Sequence, residues 1–109
     1  MEKYLLIVRG RPEPDLSPAD MQARVQQYRA WAAELGERHR EGKRLQAEGV
    51  LVRNPGTVVT DGPFLEAKEI IAGYVVFMAH DMDDAIAIAQ SCPLLEFSDL
   101  EVRPFLDQN

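Results

Sequence analysis

Val58-Val59-Thr60-Asp61-Gly62-Pro63-Phe64-Leu65-Glu66-Ala67-Lys68-Glu69 joins a short β-branched run to a longer apolar one, Ile70 to Ala79. The junction needs turn chemistry, and its residues supply it. Asp61 can accept hydrogen bonds from backbone N–H groups two residues on, and Gly62 tolerates dihedrals closed to other residues. Pro63 fixes its own φ and drives Gly62 toward extended or turn geometry. Phe64 then returns an aromatic anchor to the core. Residues 65–69 have the composition of one helical turn. The following run, Ile70 to Ala79, is apolar on both faces, which predicts a central strand covered on both sides. Its alternation sends Ile71, Val75 and Phe77 one way and Ile70, Tyr74, Val76 and Met78 the other.

Upstream, residues 3–9 read as a compact apolar strand, ended by Gly10 and the proline-rich stretch 11–15. Ser17-Pro18-Ala19-Asp20 predicts a helix start, with Ser17 as N-cap, Pro18 at the first helical position and an acid at the third. Met21, Val25, Tyr28, Ala32 and Leu35 follow at alternating spacings of four and three, with Trp31 alongside, as one helical stripe. Gly42 is the expected stop, although Gly36 can weaken the helix earlier. Arg38, Arg40, Lys43 and Arg44 then gather at the expected helix end. There they complement the dipole on a solvated face or, alternatively, form an anion-binding rim. Residues 44–53 read as a strand bent near Glu48-Gly49, Asn54-Pro55-Gly56-Thr57 as a type II turn, and residues 57–60 as the returning strand. Asp81-Met82-Asp83-Asp84 caps a second helix with Met82, Ala85, Ile86 and Ala89 inward, and Pro93 stops it. Residues 100–105 form a last strand.

The order β, α, hairpin, β, α, β over residues 1–109 makes one α+β domain. Its simplest packing is a ferredoxin-like antiparallel sheet with two helices on one face. Two helices cover one side of strand Ile70 to Ala79, so its second apolar face predicts a partner, for which another copy of the chain is the natural cover.

Composition narrows the function classes. The chain of 109 residues is 46% hydrophobic and 28% charged, ordinary for a globular protein. A formal net charge of −6 argues against sequence-independent binding to nucleic acid or anionic membranes. No apolar run approaches the ~20 residues of a membrane span, and the start lacks the features of a signal peptide. The single cysteine, Cys92, leaves no internal disulfide and suits a reducing compartment, so a cytoplasmic location is expected. No spacing of His, Cys, Asp and Glu suggests a metal site, and no motif asks for a cofactor.

The block from Val59 to Tyr74, together with Tyr4-Leu5-Leu6-Ile7, Cys92-Pro93 and Leu100-Glu101-Val102-Arg103-Pro104, resembles the DGPF branch of the YCII-related proteins. The resemblance covers nearly the whole chain and implies a dimeric α/β barrel, in which two ferredoxin-like sheets pack face to face. It also implies a cleft: some relatives look like small enzymes, a dehydrochlorinase of chlorinated aromatics among them, that use a His and an Asp. Their histidine lies near the start of the first helix. Here that region reads Ala19-Asp20-Met21-Gln22-Ala23-Arg24, and the segment leading from the first helix to Asp61 is short.

Asp61 is the first candidate for chemistry, as a general acid or base in a cleft, although its own turn explains it fully. Arg9 and Arg103 can hold an anionic ligand, but Arg103 beside Glu101 also reads as an ion pair at a sheet edge or dimer seam. Tyr74 completes the ligand-binding candidates. His39 is in phase with the first helix's stripe and reads as structural, His80 as a loop residue, and Cys92 lacks a basic partner that would make it a nucleophile. Three functions remain open: a homodimer binding a small anionic or aromatic molecule near the turn, a lyase- or isomerase-type enzyme with Asp61 as base, and a regulatory interaction module.

Overall fold

Residues 2–10 alternate strictly between inside and outside. Tyr4, Leu6 and Val8 are buried, while Lys3, Leu5, Ile7 and Arg9 between them stay partly exposed. The computed structural model describes residues 1–10, 16–59 and 70–109. The expected helical turn at residues 65–69 and the Asp61 turn therefore lie outside the described residues.

The described elements run β1 (Glu2–Gly10), α1 (Pro18–Leu35), β2 (His39–Arg44), β3 (Leu51–Arg53), β4 (Thr57–Val59), β5 (Ile70–Ala79), α2 (Met82–Gln90) and β6 (Asp99–Pro104). Four strands form one sheet in the order β2-β5-β1-β6, every pair antiparallel. With the two helices this is the ferredoxin-like α+β arrangement. Tyr4 pairs with Phe77 in register, and their rings stack at 5.9 Å. Around them Leu6, Trp31, Val75, Ala79, Ala85, Ile88, Ala89 and Cys92 complete the core between sheet and helices. The principal extents are 39 × 39 × 18 Å. The shortest of them matches one sheet and one helix layer, each about 10 Å deep.

Both helix starts follow from their caps. Ser17 Oγ accepts the Asp20 N–H at 3.1 Å, and Asp81 Oδ1 accepts the Asp84 N–H at 2.8 Å. The first helix ends earlier than expected. Gly36, at φ +60°, is its C-cap, and one 3₁₀ turn over Gly36–Arg38 leads straight into β2. Gly42 is therefore a strand residue, and Arg40, Lys43 and Arg44 lie along the edge strand instead of at a helix end. The reason is the cap itself: a left-handed glycine ends a helix wherever the next residues find better pairing, here with β5.

The strand expected over residues 44–53 is reduced to β3, which pairs with β4 as a separate two-stranded sheet. Its turn carries a cis Asn54–Pro55 bond, with the Gly56 N–H donating to the Arg53 carbonyl. A cis proline at the third of four turn residues is a type VI turn, not type II. Helix α2 is also rotated from its expected phase. Ala85, Ile88 and Ala89 face the core, whereas Met82 and Ile86 are 37% and 41% exposed. Ile71, expected on the same side as Val75 and Phe77, is exposed, because pairing with β1 slips by a residue between Val8 and Arg9. No helix of the described residues is long and apolar enough to cross a membrane.

Candidate functional site

The sheet face turned away from the helices is the first candidate. Antiparallel register places its residues in rows. One row runs Lys43, Tyr74, Ile7, Glu101, and the next runs Glu41, Val76, Leu5, Arg103. Tyr74, Ile7, Val76, Leu5 and Met78 are all partly exposed, so an apolar strip lies down the middle between charged margins. At one end of the strip Lys3, Arg40, Glu41, Val76 and Met78 line a shallow depression of about 320 Å³.

Arg9 and Arg103, both expected as anion holders, meet on this face at Glu101. Arg9 donates from Nε and Nη2 to one carboxylate oxygen at 2.9 and 2.7 Å. Arg103 donates from Nη1 to the other oxygen at 3.1 Å. Hydrogen bonding from Arg9, helped by both guanidinium charges, holds the Glu101 carboxyl below the usual range. Two guanidinium groups share one carboxylate, so the cluster keeps N–H groups beyond those given to Glu101, while Asp99 stands opposite Arg9 in register. Tyr74 lies one strand away, opposite Ile7. Desolvation and a hydrogen bond with Glu41 push its hydroxyl up, so it stays a neutral donor. Both segments outside the described residues join the sheet at one end: Gly10 pairs with Ile70, beside Arg9. The chain thus leaves the Asp61 block for the sheet at the Arg9 end, while Asp61 itself lies outside the described residues.

A second cluster lies on the helix side and was not foreseen as a unit. The Tyr28 hydroxyl and His39 Nε2 are 2.6 Å apart, and the Trp31 ring meets the His39 ring edge-on at 6.2 Å. Trp31 Nε1 donates to Ser91 Oγ at 3.0 Å, and Ser91 donates onward to the Ile88 carbonyl at 2.7 Å. Burial pushes the Tyr28 hydroxyl up to about 12 and the nearby Cys92 thiol up to about 11. A thiol held neutral and 3% exposed is a packing group, not a nucleophile. His39 has the structural role expected of it: its bond to Tyr28 ties the β2 edge to α1. The signal for this pair was present in the sequence, because Tyr28 sits on the helical stripe. Only a correct helix end would have turned His39 toward it. His80 gives its backbone N–H to Asp84 Oδ2, which also pairs with Arg38. Among the described residues no group of three or more His, Cys, Asp or Glu side chains could hold a metal ion.

This architecture has known counterparts. A solved 5-chloro-2-hydroxyhydroquinone dehydrochlorinase from Burkholderia phenoliruptrix, in complex with 2,5-dihydroxybenzoquinone, superposes with a TM-score of 0.50 at 17% identity. The match covers 94% of this chain and 92% of the other, and at that identity the likeness is one of fold alone. No curated protein sequence matches the chain. The family model of the YCII-related domain matches residues 4–107, nearly the full length. With its sheet order and paired helices, the chain belongs to the YCII-related family.

Proposed function

We propose that this protein, a DGPF-branch member by its Asp61 block, is a homodimer closed by its two open sheet faces. In this reading it binds a small anionic, ring-sized molecule at the end of the seam where Arg9 lies. The observation that carries the reading is the open face: an apolar strip of Leu5, Ile7, Tyr74, Val76 and Met78 that no helix of the described residues covers. Left in water, such a strip is an interaction surface. Its margins favour a second copy. In the Ile7 row the outer residues are Lys43 and Glu101, and in the Leu5 row they are Glu41 and Arg103. Signs therefore alternate around the four corners. A copy turned over about a two-fold axis along the strands sets its β2 corners above its partner's β6 corners, acid over base at both.

The ligand class follows from the cations. Arg9 and Arg103 carry more N–H donors than Glu101 accepts, beside the phenol of Tyr74 and the aliphatic Ile7. That pairing of guanidinium and apolar surface suits an aromatic carboxylate or the enolate of a hydroxyquinone. Asp61 acts in this reading as an acceptor in its own turn. Light scattering and a thermal-shift panel of benzoates, phenylacetates and 2,5-dihydroxybenzoquinone test both halves. A dimer is expected, with at least one ring anion raising the melting temperature and Arg9→Ala removing that response. Bound ligand at about 100 times Kd adds about 2.7 kcal/mol, a readily measured shift. A panel without any response at millimolar concentration refutes the ligand, and a stable monomer refutes the dimer.

A further inference from the structure

We propose that the β3–β4 hairpin is an arm that seats in the apolar groove between α2 and β6 of a second copy of this chain. The inference rests on the homodimer reading above. The hairpin is a sheet of its own, and an isolated two-stranded hairpin is marginal in water. Its apolar side chains lie uncovered among the described residues: Val50 is 58% exposed, Val52 62% and Val58 55%, with Leu45 at its root 49% exposed.

The same chain carries a matching vacancy. Met82, Ile86, Leu95, Leu100 and Val102 line a groove of about 320 Å³. Three of these residues, Met82, Ile86 and Leu95, are among the exposed large hydrophobics. Strand β6 borders the groove and is an edge of the main sheet, so its outer backbone groups can accept a further strand.

Charge selects the occupant. Exposed Asp83 and Glu96 adjoin the lining residues Met82 and Leu95 in sequence, whereas the hairpin strand β3 carries exposed Arg53. In a chain of net charge −6 the hairpin thus brings a cation, Arg53, to the acids beside the groove of the partner. Reach agrees. The hairpin tip lies ten residues beyond Arg44, about 33 Å when extended, several times the ~10 Å depth of a sheet layer. A two-fold axis along the strands lays β2 over the partner's β6, so the arm starts beside the groove it fills.

Sedimentation equilibrium on wild type, Val52→Asp, Ile86→Asp and the double variant tests the arm, with Val76→Asp as a control for the seam. Val52 and Ile86 are exposed, so circular dichroism should show folded variants; Ile86→Gln replaces Ile86→Asp if the latter unfolds. The expected result is a wild-type dimer that each single change weakens roughly tenfold, with the double variant no weaker than the worse single. A wild-type dimer indifferent to Val52→Asp overturns the arm and leaves the homodimer standing. Weakening by Val52→Asp but not by Ile86→Asp overturns the groove as its seat. A wild-type monomer overturns the arm and the homodimer together.

Discussion

Gly42→Ala should damage this fold more than any exposed alanine substitution. A Cβ at residue 42 would fall inside contact distance of the Tyr28 hydroxyl oxygen, 3.1 Å from Tyr28 Cζ and 3.4 Å from His39 Nε2. Tyr28 must then move, which breaks its 2.6 Å bond to His39 and disturbs its packing on Trp31, 5.7 Å away between ring centroids. Overpacking of this kind costs about 1–3 kcal/mol, and the lost hydrogen bond about 1 kcal/mol more. Alanine returns about 0.5–1 kcal/mol through its smaller loss of chain entropy. The net cost is about 1–3 kcal/mol, or roughly 5–20 °C in melting temperature for a domain near this size. Melts of Gly42→Ala, Tyr28→Phe and the double variant check the mechanism as well as the magnitude. Tyr28→Phe removes the obstructing oxygen, so Gly42→Ala should cost less in that background, although the ring carbon stays close. The reasoning fails if Gly42→Ala melts at or above wild type, or costs the same in both backgrounds.

Four further outcomes are expected. Asp84 has its pKa lowered by the His80 N–H and Arg38, so its stabilisation is present above the unfolded carboxylate pKa and is lost as pH falls through the folded one. Melts of Asp84→Asn should therefore lie below wild type at pH 7 and converge with it in acid. The Tyr28 hydroxyl, raised from 10.0 to about 12, stabilises fully below pH 10 and loses that effect as pH rises to about 12. Alkaline melts should show this extra loss in wild type and lack it in Tyr28→Phe. The Cys92 thiol, pushed up to about 11, should react with a disulfide reagent at pH 8 only after denaturant unfolds the chain. Ser91→Ala removes the acceptor of the Trp31 indole N–H and should cost about 1 kcal/mol by denaturant titration.

Strong local signals were legible in the sequence. Ser17 and Asp81 accept the N–H groups three residues on, as N-caps do, and the alternation of β1 and β5 separates a helix-covered face from an open one. Strand β2 was not legible. Its sequence His39-Arg40-Glu41-Gly42-Lys43-Arg44 holds no aliphatic residue, because an edge strand can be held by backbone bonds to one neighbour. Gly36 and Gly42 both looked like helix stops, and only the competing pairing of β2 with β5 decides between them. Met82 and Ile86 fit an inward helical stripe by spacing, yet a nine-residue helix has too few turns for spacing alone to fix its rotation. On the candidate site, Arg103 beside Glu101 was readable from strand alternation. The contribution of Arg9 was not, since it comes from another strand 92 residues away.

The central position of β1 has a consequence for synthesis. Its nine residues leave the ribosome well before their partners, since the β5 residues that cover one flank lie roughly sixty residues or more downstream, and β6 lies farther still. At about 5–20 residues per second, Tyr4, Leu5, Leu6, Ile7 and Val8 wait several seconds without a sheet to join. During that interval the apolar β1 segment is unpaired, which makes it an attractive site for a holdase chaperone. A charged substitution at Leu5 or Ile7, on the face that no described helix covers, should reduce that capture more than it weakens the finished monomer.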